Sequence, residues 1–354
     1  MPNHMILLLL LLPYLRQTDL LLPKNKNKMS STQTHLSDHD NHTVPIVDLS
    51  LLHQTDPHTK SLLIDQIHQA CLQMGCFQIV NHGISESVIE GALDVNSEFF
   101  DMPIANKEEL MSDDVYKPVR FSTVQGNSPI EGQFFINFLK LYAHPLEDFV
   151  ALWPNNPPHY REKMETYTKE VMKLSIEVLG AIMESLNLAP TYLRDKLEQG
   201  FQMMGINSYP PSSQTNVKIG IVSHTDHSII TILLQSCSGL HVMDTSGSSS
   251  GGDGAWRVVP EMKGTLVVLV GDHLQVLSNG IYKSALHRAV PSTDETRLSI
   301  ASFQSLAMDE VVEPAPELVD EEHPKGYRGS SFQDYINHLY SKKEKTFIET
   351  LRLN

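Results

Sequence analysis

The chain has 354 residues, room for one large domain or two ordinary ones, and at 41% hydrophobic and 19% charged it can bury a core rather than stay disordered. A formal charge of −15 argues against nucleic acid or an anionic membrane as the main partner, since both ask for a basic footprint. Three cysteines (Cys71, Cys76 and Cys237) without a CxxC pair give neither a disulfide framework nor a zinc knuckle, and suit a reducing, cytoplasmic compartment.

Residues 1–43 read as a disordered extension. Met5 to Leu12 is apolar but too short to span a bilayer, lacks a preceding Lys or Arg, and leads to no small-residue cleavage site. Met29 opens a more ordinary start, so residues 1–28 are expected to lie outside the working protein. The tract His35, Asp38, His39, Asp40, His42 has no packing to fix it and is read as solvated.

Val44 to Leu49 reads as a short buried strand. Ser61 to Met74 has helical spacing and stops at Gly75. Cys76 to Val80 alternates as a strand and ends on the turn Asn81-His82-Gly83. Ser85 is placed to cap a helix that Pro103 closes. Val115 to Pro145 is poorly periodic; loops and a hairpin around Phe134 to Leu141 are expected. Met164, Tyr167, Val171, Leu174, Val178, Ile182 and Leu186 recur at three- and four-residue steps, so Tyr160 to Leu188 is the longest predicted helix, with one core-facing stripe. A short helix follows from Tyr192 to Gln199.

From Gln202 the pattern shifts to period two. Strands are predicted at Val217–Val222, Ser228–Leu234, Leu240–Met243, Trp256–Val259, Gly264–Val270, Ile281–Val290 and Arg297–Phe303, which indicates a sandwich or barrel. Ser246 to Gly254 is a flexible connection, and Phe332 to about Thr350 a terminal helix. The expected division is therefore a helical and mixed region at 44–200, a β-rich core at 201–310 and a helical lid at 311–354. The fold class is mainly β with flanking helices.

His224 and Asp226 form the one His-x-Asp triplet in a chain with seventeen histidines. On a strand, residues two apart share a face, so an imidazole and a carboxylate converge there. By the same alternation His227 faces away. His287, on the predicted Ile281–Val290 strand, is the candidate third ligand. Two histidines and a carboxylate leave adjacent positions open, the arrangement that suits oxygen-activating non-haem Fe(II). Arg297 and Ser299 also share one strand face. A guanidinium fork matches a carboxylate, so this pair suits a dicarboxylate whose other end reaches the metal. Asn207-Ser208-Tyr209-Pro210-Pro211 precedes the barrel and gains meaning only beside these residues.

Taken in order, the stretches Val44-Pro45-Ile46-Val47-Asp48, Gly75-Cys76-Phe77, Asn81-His82-Gly83, His224-Thr225-Asp226, Gly239-Leu240-His241-Val242, Gly271 to Gly280, Tyr282-Lys283-Ser284, His287-Arg288 and Arg297-Leu298-Ser299 carry a resemblance. The chain resembles the plant 2-oxoglutarate- and Fe(II)-dependent dioxygenases, the group of flavanone 3-hydroxylase, flavonol synthase, anthocyanidin synthase and the gibberellin oxidases. The resemblance implies a double-stranded β-helix (jelly-roll, cupin-like) core. It assigns iron to His224, Asp226 and His287, and 2-oxoglutarate to Arg297, Ser299, Tyr209 and Asn207. Ser212 stands where many relatives carry a non-ligating cysteine. The resemblance further implies O2 as co-reactant and ascorbate as a supporting reductant, with succinate and CO2 released as a substrate C–H bond is oxidised.

The expected substrate is a small, possibly flavonoid-like metabolite bound by a monomer, and a carboxylate at Asp226 favours hydroxylation over halogenation. Phe303 matches a position where relatives stack a ring on substrate, and Phe134 and Tyr142 are candidates for the pocket entrance. A gibberellin-type hormone oxidase would want a second buried cation, for which Lys117, Arg120 and Lys140 are available. A non-turnover cupin-like binding protein and a zinc hydrolase are the readings from other classes.

Overall fold

The computed structural model describes residues 43–244, 254–340 and 345–353. The N-terminal extension up to residue 42, and the Ser246–Gly254 connection short of Gly254, lie outside them.

Among the described residues twelve strands build two sheets. They are β1 (Ile46–Asp48), β2 (Cys76–Val80), β3 (Val119–Ser128), β4 (Gly132–His144), β5 (Phe201–Tyr209), β6 (Ile221–His224), β7 (Ile230–Gln235), β8 (Leu240–Asp244), β9 (Ala255–Val259), β10 (Leu266–Val270), β11 (His287–Ala289) and β12 (Arg297–Ser305). The large sheet runs β1-β2-β10-β7-β12-β5-β4-β3, and the small one β6-β11-β8-β9. Among these strands every pairing is antiparallel except β1 with β2. Strands from both ends of the chain thus share one sheet. β10 is buried at all five positions because a neighbour flanks each edge and packing covers both faces.

The helix Tyr160–Ser185 buries the predicted stripe, with Tyr167, Val171, Val178 and Ile182 at 0% exposure against the large sheet's main core. The helix predicted from Ser61 starts earlier, at Pro57. Asp56 accepts from the backbone N–H groups of His58 and Thr59, and Pro57 supplies the fixed φ of a first helical turn. Its end at Gly75 is fixed by φ +62° and by closeness: a Cβ there would lie 2.6 Å from the Lys283 carbonyl. Ser85 does precede the helix Glu86–Asp101, though its side chain makes no capping bond.

Four expectations change. The hairpin expected around Phe134 to Leu141 is present but longer, the pair β3–β4 with its turn between Ser128 and Gly132. The loops expected beside it are strand, because mixed side chains on faces that meet different environments hid the period of two. The predicted Ile281–Val290 strand shrinks to β11, while Val217–Val222 shifts to β6. A further strand, β5, precedes the one expected at Val217–Val222. The terminal helix is two helices, Phe332–Tyr340 and Phe347–Leu351, the second started by a capping box between Thr346 and Glu349. Among the described residues no helix is long and apolar enough to cross a membrane.

Candidate active site

His224 and His287 are direct partners across β6 and β11, with ring centroids 4.1 Å apart. In each histidine Nδ1 lies on a backbone carbonyl, Val222 O at 2.8 Å and Ala285 O at 2.9 Å. That bond places the proton on Nδ1 and leaves Nε2 as a lone-pair donor. Burial, and then the neighbouring His287, hold His224 well below the usual imidazole pKa, so it stays neutral and able to ligate.

Asp226 completes the set by a different route from the one predicted. β6 ends at His224, so Asp226 lies in the following loop rather than two places along a strand. That loop is fixed from outside: the Asp272 N–H donates to the Asp226 carbonyl at 2.7 Å, and Thr231 Oγ1 donates to Oδ2 at 2.6 Å. Oδ1 is then 3.7 Å from both Nε2 atoms. That is under twice a metal–ligand distance of about 2.1 Å, so one ion reaches all three. The three residues are buried and are the metal-capable cluster found among the described residues. Two imidazoles and one carboxylate, open on the cavity side, fit a non-haem iron.

The alternation that would turn His227 away fails once the strand has ended at His224. It is buried, lines the cavity, and stacks on Tyr335 at 4.0 Å and 9°, joining the C-terminal helix to the core.

The cavity over the triad is walled by the inner face of the large sheet, where side chains form rows across β4, β5, β12 and β7. Tyr209 pairs with Arg297; Phe138, Asn207, Ser299 and Gln235 form the next row. Lys140, Gly205, Ala301 and Leu233 follow, and then Tyr142, Met203, Phe303 and Thr231. Asn207, Tyr209, Arg297, Ser299, Tyr142 and Phe303 all line the cavity. Phe134 does not: it packs with Val124, Ile136, Tyr209 and Ile219 in a separate cluster. Of the three candidate cations only Lys140 lines it; Arg120 lies against the Phe138 ring, and Lys117 donates to the Glu109 carbonyl at the surface.

Arg297 is 1% exposed. Its Nη2 donates to Gln235 Oε1 at 3.0 Å and its Nε to the Cys237 carbonyl at 3.3 Å, while buried Nη1 has no partner. Tyr209 is its partner across β5 and β12, with the ring centroid 5.1 Å from the guanidinium carbon, and burial raises the phenol's pKa. A buried cationic donor without an acceptor is costly, and a carboxylate answers it. The donor set therefore fits the far end of 2-oxoglutarate.

Fold and site together define a mononuclear non-haem metal enzyme with an anion-binding arginine beside the metal. The model of the 2OG-Fe(II) oxygenase superfamily matches residues 200–305, and that of the non-haem dioxygenase in morphine synthesis N-terminal region matches 44–174. The chain is 46% identical to rice (Oryza sativa subsp. japonica) "2-oxoglutarate-dependent dioxygenase 21, chloroplastic" over 88% of its length and 91% of that protein. It is 41% identical to rice "Flavanone 3-dioxygenase 3", covering 88% and 93%. The crystal structure of JOX2 in complex with 2OG, Fe, and JA superposes with TM-score 0.75 at 26% identity, over 88% of this chain and 89% of that one. The chain belongs to the plant 2-oxoglutarate- and Fe(II)-dependent oxygenase family, and His224, Asp226 and His287 are its metal triad.

Sequence reasoning missed Thr231 and Gln235, which hold Asp226 and Arg297, and the cavity residues Phe332, Tyr335, Ile336 and Leu339 on the C-terminal helix. Strand pairing could have flagged the first two, since both sit on β7 beside β12; nothing local marks the others.

Proposed function

We propose that this dioxygenase oxidises a C–H bond of a small, largely apolar plant metabolite of flavonoid-like type, by hydroxylation, desaturation or a related outcome. The observation that carries the reading is the cavity wall: aromatic and aliphatic side chains, Phe138, Tyr142, Leu233, Phe303 and Phe332 among them, surround the open side of the triad. The 41% identity to a flavanone 3-dioxygenase supports the scaffold.

Held by His224, Asp226 and His287, Fe(II) would supply the activation of O2 that couples 2-oxoglutarate decarboxylation to C–H oxidation, the overall reaction releasing succinate and CO2. The chain's own residues do the positioning. Arg297 Nη1 and the Ser299 hydroxyl donate to the distal carboxylate, Tyr209 completes that end, and Asn207 stands in the row between it and the substrate. Phe303 and Tyr142 pack on the substrate and keep water from the reacting face. The three unpaired cysteines support a reducing compartment; fractionation of tagged full chain checks the cytoplasm against the chloroplast that a relative's name carries.

A panel of flavanones and gibberellins, with Fe(II), 2-oxoglutarate and ascorbate, tests the reading. Flavanone-dependent succinate release well above the substrate-free rate is expected. Stimulation by gibberellins alone would transfer the assignment to a hormone oxidase, a second reading that the cation in the cavity favours.

A further inference from the structure

An ammonium group interrupts the apolar part of the cavity wall. Lys140 on β4 is 4% exposed and lines the cavity. Its Nζ donates to the Val115 carbonyl and stands over the Tyr142 ring, 4.6 Å from the centroid. Among the described residues no carboxylate comes within 4.0 Å of it. An ammonium has three donors, and these two partners leave one over. A buried charge without a counter-ion is unfavourable unless something arrives to pair it. Burial first, and then Arg120, push its pKa down to about 7, with Asp114 partly offsetting them.

The row that holds Lys140 also holds the smallest side chains of the wall, Gly205 and Ala301. A Cβ on Gly205 would come 3.1 Å from the Phe303 ring, so glycine at that position lets the Phe303 ring lie close against β5, and Gly205 and Ala301 both line the cavity. Ala301 in this row lies four residues along β12 from Arg297, about 13 Å at the usual strand rise, so the row is separate from the cosubstrate's arginine.

We propose that Lys140 is the specificity-determining anchor for the primary substrate, pairing with an acidic group, a carboxylate or an acidic phenol, on an apolar scaffold seated over Gly205 and Ala301. The proposal rests on the reading of the enzyme as an oxidase of small apolar metabolites, and narrows it to acidic ones.

The test is calorimetric binding to the full chain, loaded anaerobically with Fe(II) and 2-oxoglutarate. The probes are three matched pairs: naringenin and its A-ring methyl ether, ferulic acid and methyl ferulate, and kaurenoic acid and methyl kaurenoate. In at least one pair the acidic member should bind about tenfold more tightly, as a charge pair in a dry site predicts. Lys140→Met should bring that pair within about twofold, and Lys140→Arg should keep the preference. Equal or absent binding in every pair overturns the proposal, as does a preference that survives in a folded Lys140→Met. The wild-type comparison needs no variant, so it decides even if Lys140→Met fails to fold. A preference confined to the ferulate or kaurenoate pair keeps the role of Lys140 while removing the flavonoid reading; flavanone turnover without acid preference does the reverse.

Discussion

Thr231 donates its hydroxyl to Asp226 Oδ2 at 2.6 Å, so the large sheet, through β7, holds the metal-binding carboxylate that the small sheet's loop presents. Both residues are buried, and losing the hydroxyl leaves Oδ2 without its donor. Thr231→Val should weaken Fe(II) binding by about ten- to a hundredfold, the usual effect of removing a ligand's supporting bond. Competition against a chelator measures it, with Thr231→Ser as the conservative control. An unchanged metal affinity in Thr231→Val would remove Thr231 from the site.

His224→Ala and Asp226→Ala each leave two ligands for the ion. Iron content after purification should fall to background, and substrate-dependent succinate release should be lost. Normal turnover by either variant with iron stripped would rule out the metal assignment.

Arg297 offers a planar fork where lysine offers a point charge. Arg297→Lys should raise the KM for 2-oxoglutarate by about ten- to a hundredfold while the substrate KM moves less, which initial-rate kinetics separate. Gly239→Ala should act in the same direction, because a Cβ there would lie 2.6 Å from Arg297 Cδ. Equal KM values for 2-oxoglutarate in wild type and Arg297→Lys would sink this role.

Lys140 binds its proton less tightly folded than unfolded, its pKa falling from 10.5 to about 7. Between those values the unfolded chain carries more protons, so this group's contribution to stability rises with pH. The destabilisation is complete below about pH 7 and absent above the unfolded value. In substrate-free protein, the melting temperature of wild type relative to Lys140→Met should therefore climb from about pH 6.5 to pH 9.5. A flat difference would contradict the buried-ammonium account.

Tyr335 stacks on His227 and lines the cavity from the C-terminal helix Phe332–Tyr340. Tyr335→Ala removes that wall and part of the seal against water. The substrate KM should rise about tenfold, the scale of a lost buried aromatic contact, with a smaller change in the KM for 2-oxoglutarate. Identical changes in both would point to general unfolding instead.

The sequence alone carried the helices with strong period, the β-rich second half and the iron triad. Met164 to Ile182 recur at helical steps, and a stripe that regular has one stable use. His224, Asp226 and His287 were legible because ligand chemistry restricts residue type so narrowly, even though a loop held by Thr231 and Asp272, not a shared strand face, brings Asp226 to the histidines. A hairpin near Phe134 to Leu141 was legible, but the full length of β3 and β4, and β5, were not, since their faces meet a core, a cavity and neighbouring strands in turn, which blurs any local pattern.

Only the tertiary structure decided which distant residues meet. It pairs His224 with His287 across two strands, brings Thr231 to Asp226, sends Phe134 into a separate cluster, and turns Lys140 into the cavity while Lys117 remains at the surface. Those outcomes depend on strand register and sheet order, which long-range packing sets and no short window of sequence contains.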